Sequence, residues 1–243
     1  MPRACPFYAN PANTVEHVEP QWLSRYYRQR GGSGSFTMSF GDLYPTRTVP
    51  TLNQTVKVCG ACNSGWMSNL ERRAKTGVLL LAEGEPTTLG PEGQKTLTRW
   101  LLKGVIVREQ LMPVDSDHRI SVPEQRRVIA QGGIPEGWLV HIGAFEGIAS
   151  TYNYQMEASR LRDKDGKVLG WVALHTYRLE CFVGQVLLHS LAESPSIRDL
   201  LGGPPYAIEI PLRSDVSWPP PAAFSPETIE TVQKLKWLDT DTA

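Results

Sequence analysis

Val58-Cys59-Gly60-Ala61-Cys62-Asn63-Ser64-Gly65-Trp66-Met67-Ser68-Asn69-Leu70-Glu71 is the stretch on which the reading of this chain turns. Two thiols stand three apart on a Gly-containing turn. That spacing lets both sulfurs face one metal ion, as in half of a zinc knuckle. A pair of reduced structural cysteines without metal fits the same residues. Upstream, residues 52–58 read as a strand that delivers the chain to Cys59. Downstream, Asn63 is a fair helix N-cap, and the pattern predicts a helix through Trp66, Leu70 and Arg73 that ends near Gly77.

A second cluster lies near the N-terminus: Cys5-Pro6-Phe7-Tyr8, then Glu16-His17-Val18-Glu19-Pro20-Gln21-Trp22-Leu23. The prolines and asparagines of residues 1–15 predict a loop. Glu16 beside His17 puts a hard-metal ligand next to a potential general base. Neighbouring strand residues point to opposite faces, so one can face a metal while the other faces substrate. In isolation the pair reads as surface. A short helix is expected over 20–30, in which Arg25, Arg28 and Arg30 read either as phosphate contacts or as a solvated face.

Together these fragments carry a resemblance. "EHVEPQWL" and "VCGACNSGWMSNLE" resemble HNH endonucleases, in the subgroup with a paired Cys-x-x-Cys zinc site, whose fragments run CxFC, EHVxPxWL and VCxxCNxGWM. The segment Gln94 to Val107, with Trp100, Leu101 and Lys103, resembles the stretch downstream of the motif in these proteins, so the likeness covers roughly residues 3–112. The resemblance implies a ββα-metal module in which His17 is the general base and Glu16 and Asn63 bind a catalytic Mg²⁺ or Mn²⁺. It implies structural Zn²⁺ on Cys5, Cys59 and Cys62, and DNA as the partner. Asn53, with Gln54, lies closest to the place of the middle Asn that orients the histidine. The departure is Tyr8, where the family pattern has a fourth Cys; a phenol is a poor zinc ligand. The reading is a metal-dependent HNH DNA endonuclease. The alternative is a non-catalytic zinc-knuckle module that binds nucleic acid or protein.

The rest of the chain carries no such resemblance. An amphipathic helix is predicted over 92–109, with an apolar stripe of Leu97, Trp100, Leu101 and Val105, and Ile106 and Val107 as further candidates for it. Strands are predicted over 138–144, 151–161, 168–179, 182–189 and 206–210, with a hairpin turn at 163–166. Ser225-Pro226-Glu227 predicts a helix start that runs to about Trp237. His141 and His175 read as packed or surface residues, and Cys181 as a buried small apolar one. The fold class is α+β: an HNH ββα-metal module over 1–77, then a mainly antiparallel sheet with flanking helices over 78–243.

Composition sets the frame. The chain has 243 residues, ordinary apolar content and a formal net charge of zero. Residues 1–75 hold nine Lys or Arg against four Asp or Glu, which suits a polyanionic partner or marks a solvated surface. No run of 18 apolar residues appears, so no membrane span is expected. The N-terminus has no signal-peptide core. Four cysteines with a close pair favour a reducing, cytoplasmic setting and metal chemistry.

Overall fold

The computed structural model describes residues 4–39, 47–50, 52–111, 121–146, 152–162, 165, 167–190, 208–211 and 214–233. The chain is mixed α and β, with helices beside multi-stranded sheets. Among the described residues, no helix is long and apolar enough to cross a membrane.

The front begins with β1 (Thr14–His17), which pairs antiparallel with β4 (Thr55–Val58), Glu16 opposite Val56 and His17 opposite Thr55. Between them lie α1 (Gln21–Gln29), β2 (Gly34–Ser39) and β3 (Arg47–Pro50). After β4 comes a wide helical segment, Ala61–Met67, broken at Gly65 (φ −92°, ψ −112°). Regular helix α2 (Ser68–Ala82) comes next. The helix predicted to end near Gly77 therefore runs on: Val78, Leu81 and Ala82 extend its buried face. A lone Gly is tolerated inside a helix when the packing around it is apolar.

Helix α3 (Pro91–Glu109) packs both against α2 before it and against strands that follow it. Gly90 and Pro91 start it, as Pro at a first helical position allows. The predicted single stripe is too narrow: from Leu97 on, every residue except Arg99 is buried. A helix buried all round must satisfy each polar side chain it carries. Lys103, Arg108 and Glu109 are such residues, and all have charged or hydrogen-bonded partners.

One face of α3 meets α2, the other the main sheet. The sheet also uses β6 (Trp138–Phe145), β7 (Tyr152–Arg162), β8 (Val168–Leu179), β9 (Phe182–His189) and β10 (Ile208–Ile210). Its order is β10-β6-β9-β8-β7-β2-β3. The β6 to β9 pairs are antiparallel, as expected, but β2 joins β7 in parallel. A strand of the front stretch thus completes the sheet of the second half, and the two share one core. Gly184 lets α3 approach β9: a Cβ there would lie 2.7 Å from Leu101 Cδ2.

Smaller elements complete the fold. They are β5 (Thr87–Leu89), α4 (Pro123–Ala130), β11 (Val216–Trp218), β12 (Ala223–Phe224) and α5 (Pro226–Gln233). Strand β12 pairs with β6, and β11 with β5. Ser225 Oγ accepts the Thr228 N–H at 3.1 Å, so the predicted cap is in place. The turn expected at 163–166 falls largely outside the described residues, as does the helix end beyond 233. Cys181, predicted buried, is only partly so.

His175 on β8 is fully buried, with Nδ1 2.5 Å from the Tyr154 hydroxyl. Burial, helped by the charge of Arg108, lowers its pKa to about 3. The unfolded chain therefore takes a proton near pH 6.5 while the fold refuses it, and stability falls as pH drops through that window. Between about pH 7 and pH 5 this group alone removes about 2 kcal/mol. Urea unfolding of His175→Gln should show a shallower acid loss by that amount; an unchanged pH slope would contradict the assignment.

Candidate metal centre and active-site cleft

The thiols come together first. Cys5 arrives on the N-terminal loop, pinned by Cys5 N–H to Asn10 O at 2.8 Å. Cys59 and Cys62 arrive on the turn after β4, where the N–H groups of Cys62 and Asn63 both bond Cys59 O at 3.1 Å. All three are buried, with sulfurs within 4.8 Å of one another. Cys5 Sγ and Cys62 Sγ are 3.8 Å apart. Thiolates at about 2.3 Å around a tetrahedral ion stand about 3.8 Å apart, so the set fits a thiophilic metal. The Cys62 thiol and the backbone N–H groups of Cys59, Phe7 and Tyr8 bring the Cys5 pKa down to about 5, against burial. The same pairing raises that of Cys62. Of the two, Cys5 is the readier to give up its proton to a cation. Tyr8 is half-buried and packs on the core.

Beside this cluster lies a cleft of about 430 Å³, lined by Thr14, Glu16, His17, Asn63, Ser64 and Glu71 among others. Four elements build it: β1, the start of α1 with Gln21 and Trp22, the wide turn after β4, and α2. Asn63 ties two of them, its Nδ2 donating to Val15 O at 2.8 Å and Thr14 Oγ1 at 3.2 Å. A main-chain carbonyl can only accept, so the amide nitrogen is fixed there. Oδ1 is left as the atom Asn63 can offer a cation.

The alternation of β1 turns Glu16 inward, where it is 8 % exposed, and leaves His17 half-buried at the cleft. Beneath them lies Lys103 of α3, 2 % exposed. Its Nζ is 2.5 Å from Glu16 Oε1 and 2.6 Å from Glu71 Oε1. Burial raises the Glu16 pKa, Lys103 pulls it down, and the nearby Glu71 charge adds to the rise. For Lys103 burial works against the charge, yet Glu16 and Glu71 together hold its pKa above the usual value. Two carboxylates over one ammonium leave the cleft floor net acidic, which suits a cation.

Glu16, His17 and Asn63 therefore share one cleft, with Cys5, Cys59 and Cys62 packed beside it. Neither Asn53 nor Gln54 is among the lining residues: Asn53 Oδ1 accepts from the Arg28 guanidinium, and the Gln54 carbonyl accepts the Val18 N–H at 2.9 Å. Among the described residues, the lining carries no Lys or Arg. Exposed basic residues of the front stretch include Arg25 on α1, Lys57 on β4, and Arg72 and Arg73 on α2. Arg30 instead stacks on Tyr26 and pairs with Glu83 at 2.9 Å.

Two site residues have no separate role in the sequence reading. Glu71 lies eight positions past Asn63, about two helical turns on, so it can return to the same side. Lys103 interrupts Leu101-Leu102-Lys103-Gly104-Val105-Ile106-Val107. A lone cation inside such an apolar run needs a buried anion, and that signal is legible in the sequence.

Comparison of the chain with protein-family models, curated proteins and solved structures gives no match.

Proposed function

We propose that this protein is a metal-dependent DNA endonuclease of the HNH type. In this reading β1, β4 and α2 form its ββα-metal module. The observation that carries the reading is the meeting of Glu16, His17 and Asn63 in one cleft beside a buried three-thiol cluster. A binding module needs none of those three side chains at one place.

The residues divide the chemistry of phosphodiester hydrolysis. His17, at the cleft, takes the proton of the attacking water. Glu16 and Asn63 are hard oxygen donors that would hold Mg²⁺ or Mn²⁺, and such an ion supplies charge neutralisation at the scissile phosphate and the leaving oxygen. Asn63 is held in place by β1, so its carbonyl keeps its aim. Arg25, Lys57, Arg72 and Arg73 are exposed on the elements of the front stretch and are candidates to meet flanking phosphates. Cys5, Cys59 and Cys62 would hold Zn²⁺, a structural role that locks the N-terminal loop to the turn. Reduced thiols at such a site suit the cytoplasm.

One observation favours the non-catalytic alternative: Glu16 is already engaged by Lys103. Supercoiled plasmid separates the two readings. The nuclease is expected to nick or linearise it with Mg²⁺ or Mn²⁺ and to stop on addition of EDTA. Plasmid that is bound but intact would favour the binding module.

A further inference from the structure

The Glu16–Lys103–Glu71 contact joins β1, α3 and α2 at the floor of the cleft. A fully buried ammonium is expensive to desolvate and is retained only with good partners. Here it touches each carboxylate through one oxygen, Oε1, and both carboxylates line the cleft. A divalent ion needs a hard oxygen set already in place, because a carboxylate free to rotate loses entropy on binding. We propose that Lys103 is the positioning residue of the cleft. Its ammonium fixes the rotation of Glu16 and Glu71, so that their remaining oxygens are offered to a divalent cation beside His17 and Asn63. This rests on the nuclease reading for the identity of the site, not for the existence of the contact.

Gly104 and Arg108 bring the turn of α3 that follows Lys103 close against Tyr177 of β8, which fixes this part of the helix on the sheet. That makes Lys103 a fixed reference for the two acids, which arrive on separate elements.

The sign of one effect separates positioning from simple electrostatics. Removing a positive charge beside a cation site should tighten cation binding if charge alone matters. Removing a positioning group should weaken it, by about 10- to 100-fold for outer residues of metal sites. The experiment measures Mn²⁺ affinity by electron paramagnetic resonance on zinc-loaded protein, for wild type, Lys103→Met and Lys103→Arg. Thermal unfolding runs alongside. Expected is a loss of at least about tenfold in Lys103→Met and recovery to within a few-fold in Lys103→Arg, which keeps the charge and can still donate to both acids. Mn²⁺ affinity in Lys103→Met equal to or tighter than wild type would overturn the proposal.

Lys103→Met leaves two acids without a counter-ion and risks the fold, so Lys103→Met/Glu71→Gln is the second variant. It restores the wild-type net charge of the contact. Expected is the same weak Mn²⁺ binding, and wild-type affinity in it would also overturn the proposal. Plasmid cutting on the same samples keeps the two claims apart. Unaltered Mn²⁺ affinity in the variants with a cutting wild type sinks only the role of Lys103. The expected Mn²⁺ pattern without cutting sinks only the nuclease. No Mn²⁺ binding by wild type sinks both.

Discussion

Replacing Arg108 with Met is expected to lower the unfolding midpoint by on the order of 10 °C, from a loss of about 3–5 kcal/mol. The guanidinium is 2 % exposed and its Nη2 lies 2.5 Å from both Glu19 oxygens. It also bonds the Tyr152 hydroxyl and the Tyr177 hydroxyl, the latter at 3.2 Å, and its Cζ lies 4.2 Å from the Tyr154 ring centre. Tyr177 in turn donates to Leu101 O at 2.8 Å, closing the network onto α3. Gly104 makes room for it: a Cβ there would sit 2.5 Å from Arg108 Nη1. Without Arg108, Glu19 is an unpaired carboxylate inside the core, where burial already raises its pKa. The double variant Arg108→Met/Glu19→Gln should regain much of the loss, because no charge is then left buried alone. A midpoint shift of under about 2 °C in the single variant would show that this network does not tie the front of the chain to the sheet.

The second large effect concerns the thiols. Wild type is expected to carry about one zinc ion per chain, and Cys62→Ser to lose it. Structural zinc contributes about 10–16 kcal/mol in domains that have little else. Here Cys59 and Cys62 also belong to a core shared with α3, so the loss should be partial and local. Hydrogen exchange should show residues 4–17 and 55–71 losing protection in Cys62→Ser, while α3 and the β6 to β9 strands keep theirs. Metal-free wild type, or a variant with protection unchanged throughout, would contradict a metal-bearing role for the cluster.

Much of the candidate site is legible from local pattern. The Cys-x-x-Cys turn, the Glu-His pair and the Asn after the second thiol are short-range signals, and β1, the turn and α2 bring them to one place. The strands from Trp138 to His189 are legible for the same reason, since their alternation and β-branched residues are local. What stays hidden in the sequence is long-range. Strand β2 pairs in parallel with β7, more than 100 positions on, and nothing in Gly34–Ser39 names that partner. The short strands β3, β5, β11 and β12 are two to four residues long, below the length at which alternation can be counted. Gly77 reads locally as the stop of α2, whereas burial of Val78 and Leu81 carries the helix past it. Position along the chain points to Asn53 as the middle Asn, but Arg28 on α1 holds it outside the cleft lining. The shared role of Lys103 and Glu71 becomes visible only where three elements meet.

The central claim is that His17 activates water in this cleft, and one comparison tests it most directly. Supercoiled plasmid is incubated with wild type and with His17→Ala, each with Mg²⁺ or Mn²⁺, and DNA binding is measured on the same samples. His17 is half-buried at the cleft, so its loss should leave fold and DNA binding intact. Loss of a general base is expected to slow cutting by about 10²- to 10⁴-fold. Cutting by His17→Ala at the wild-type rate, with equal DNA binding, would contradict the account.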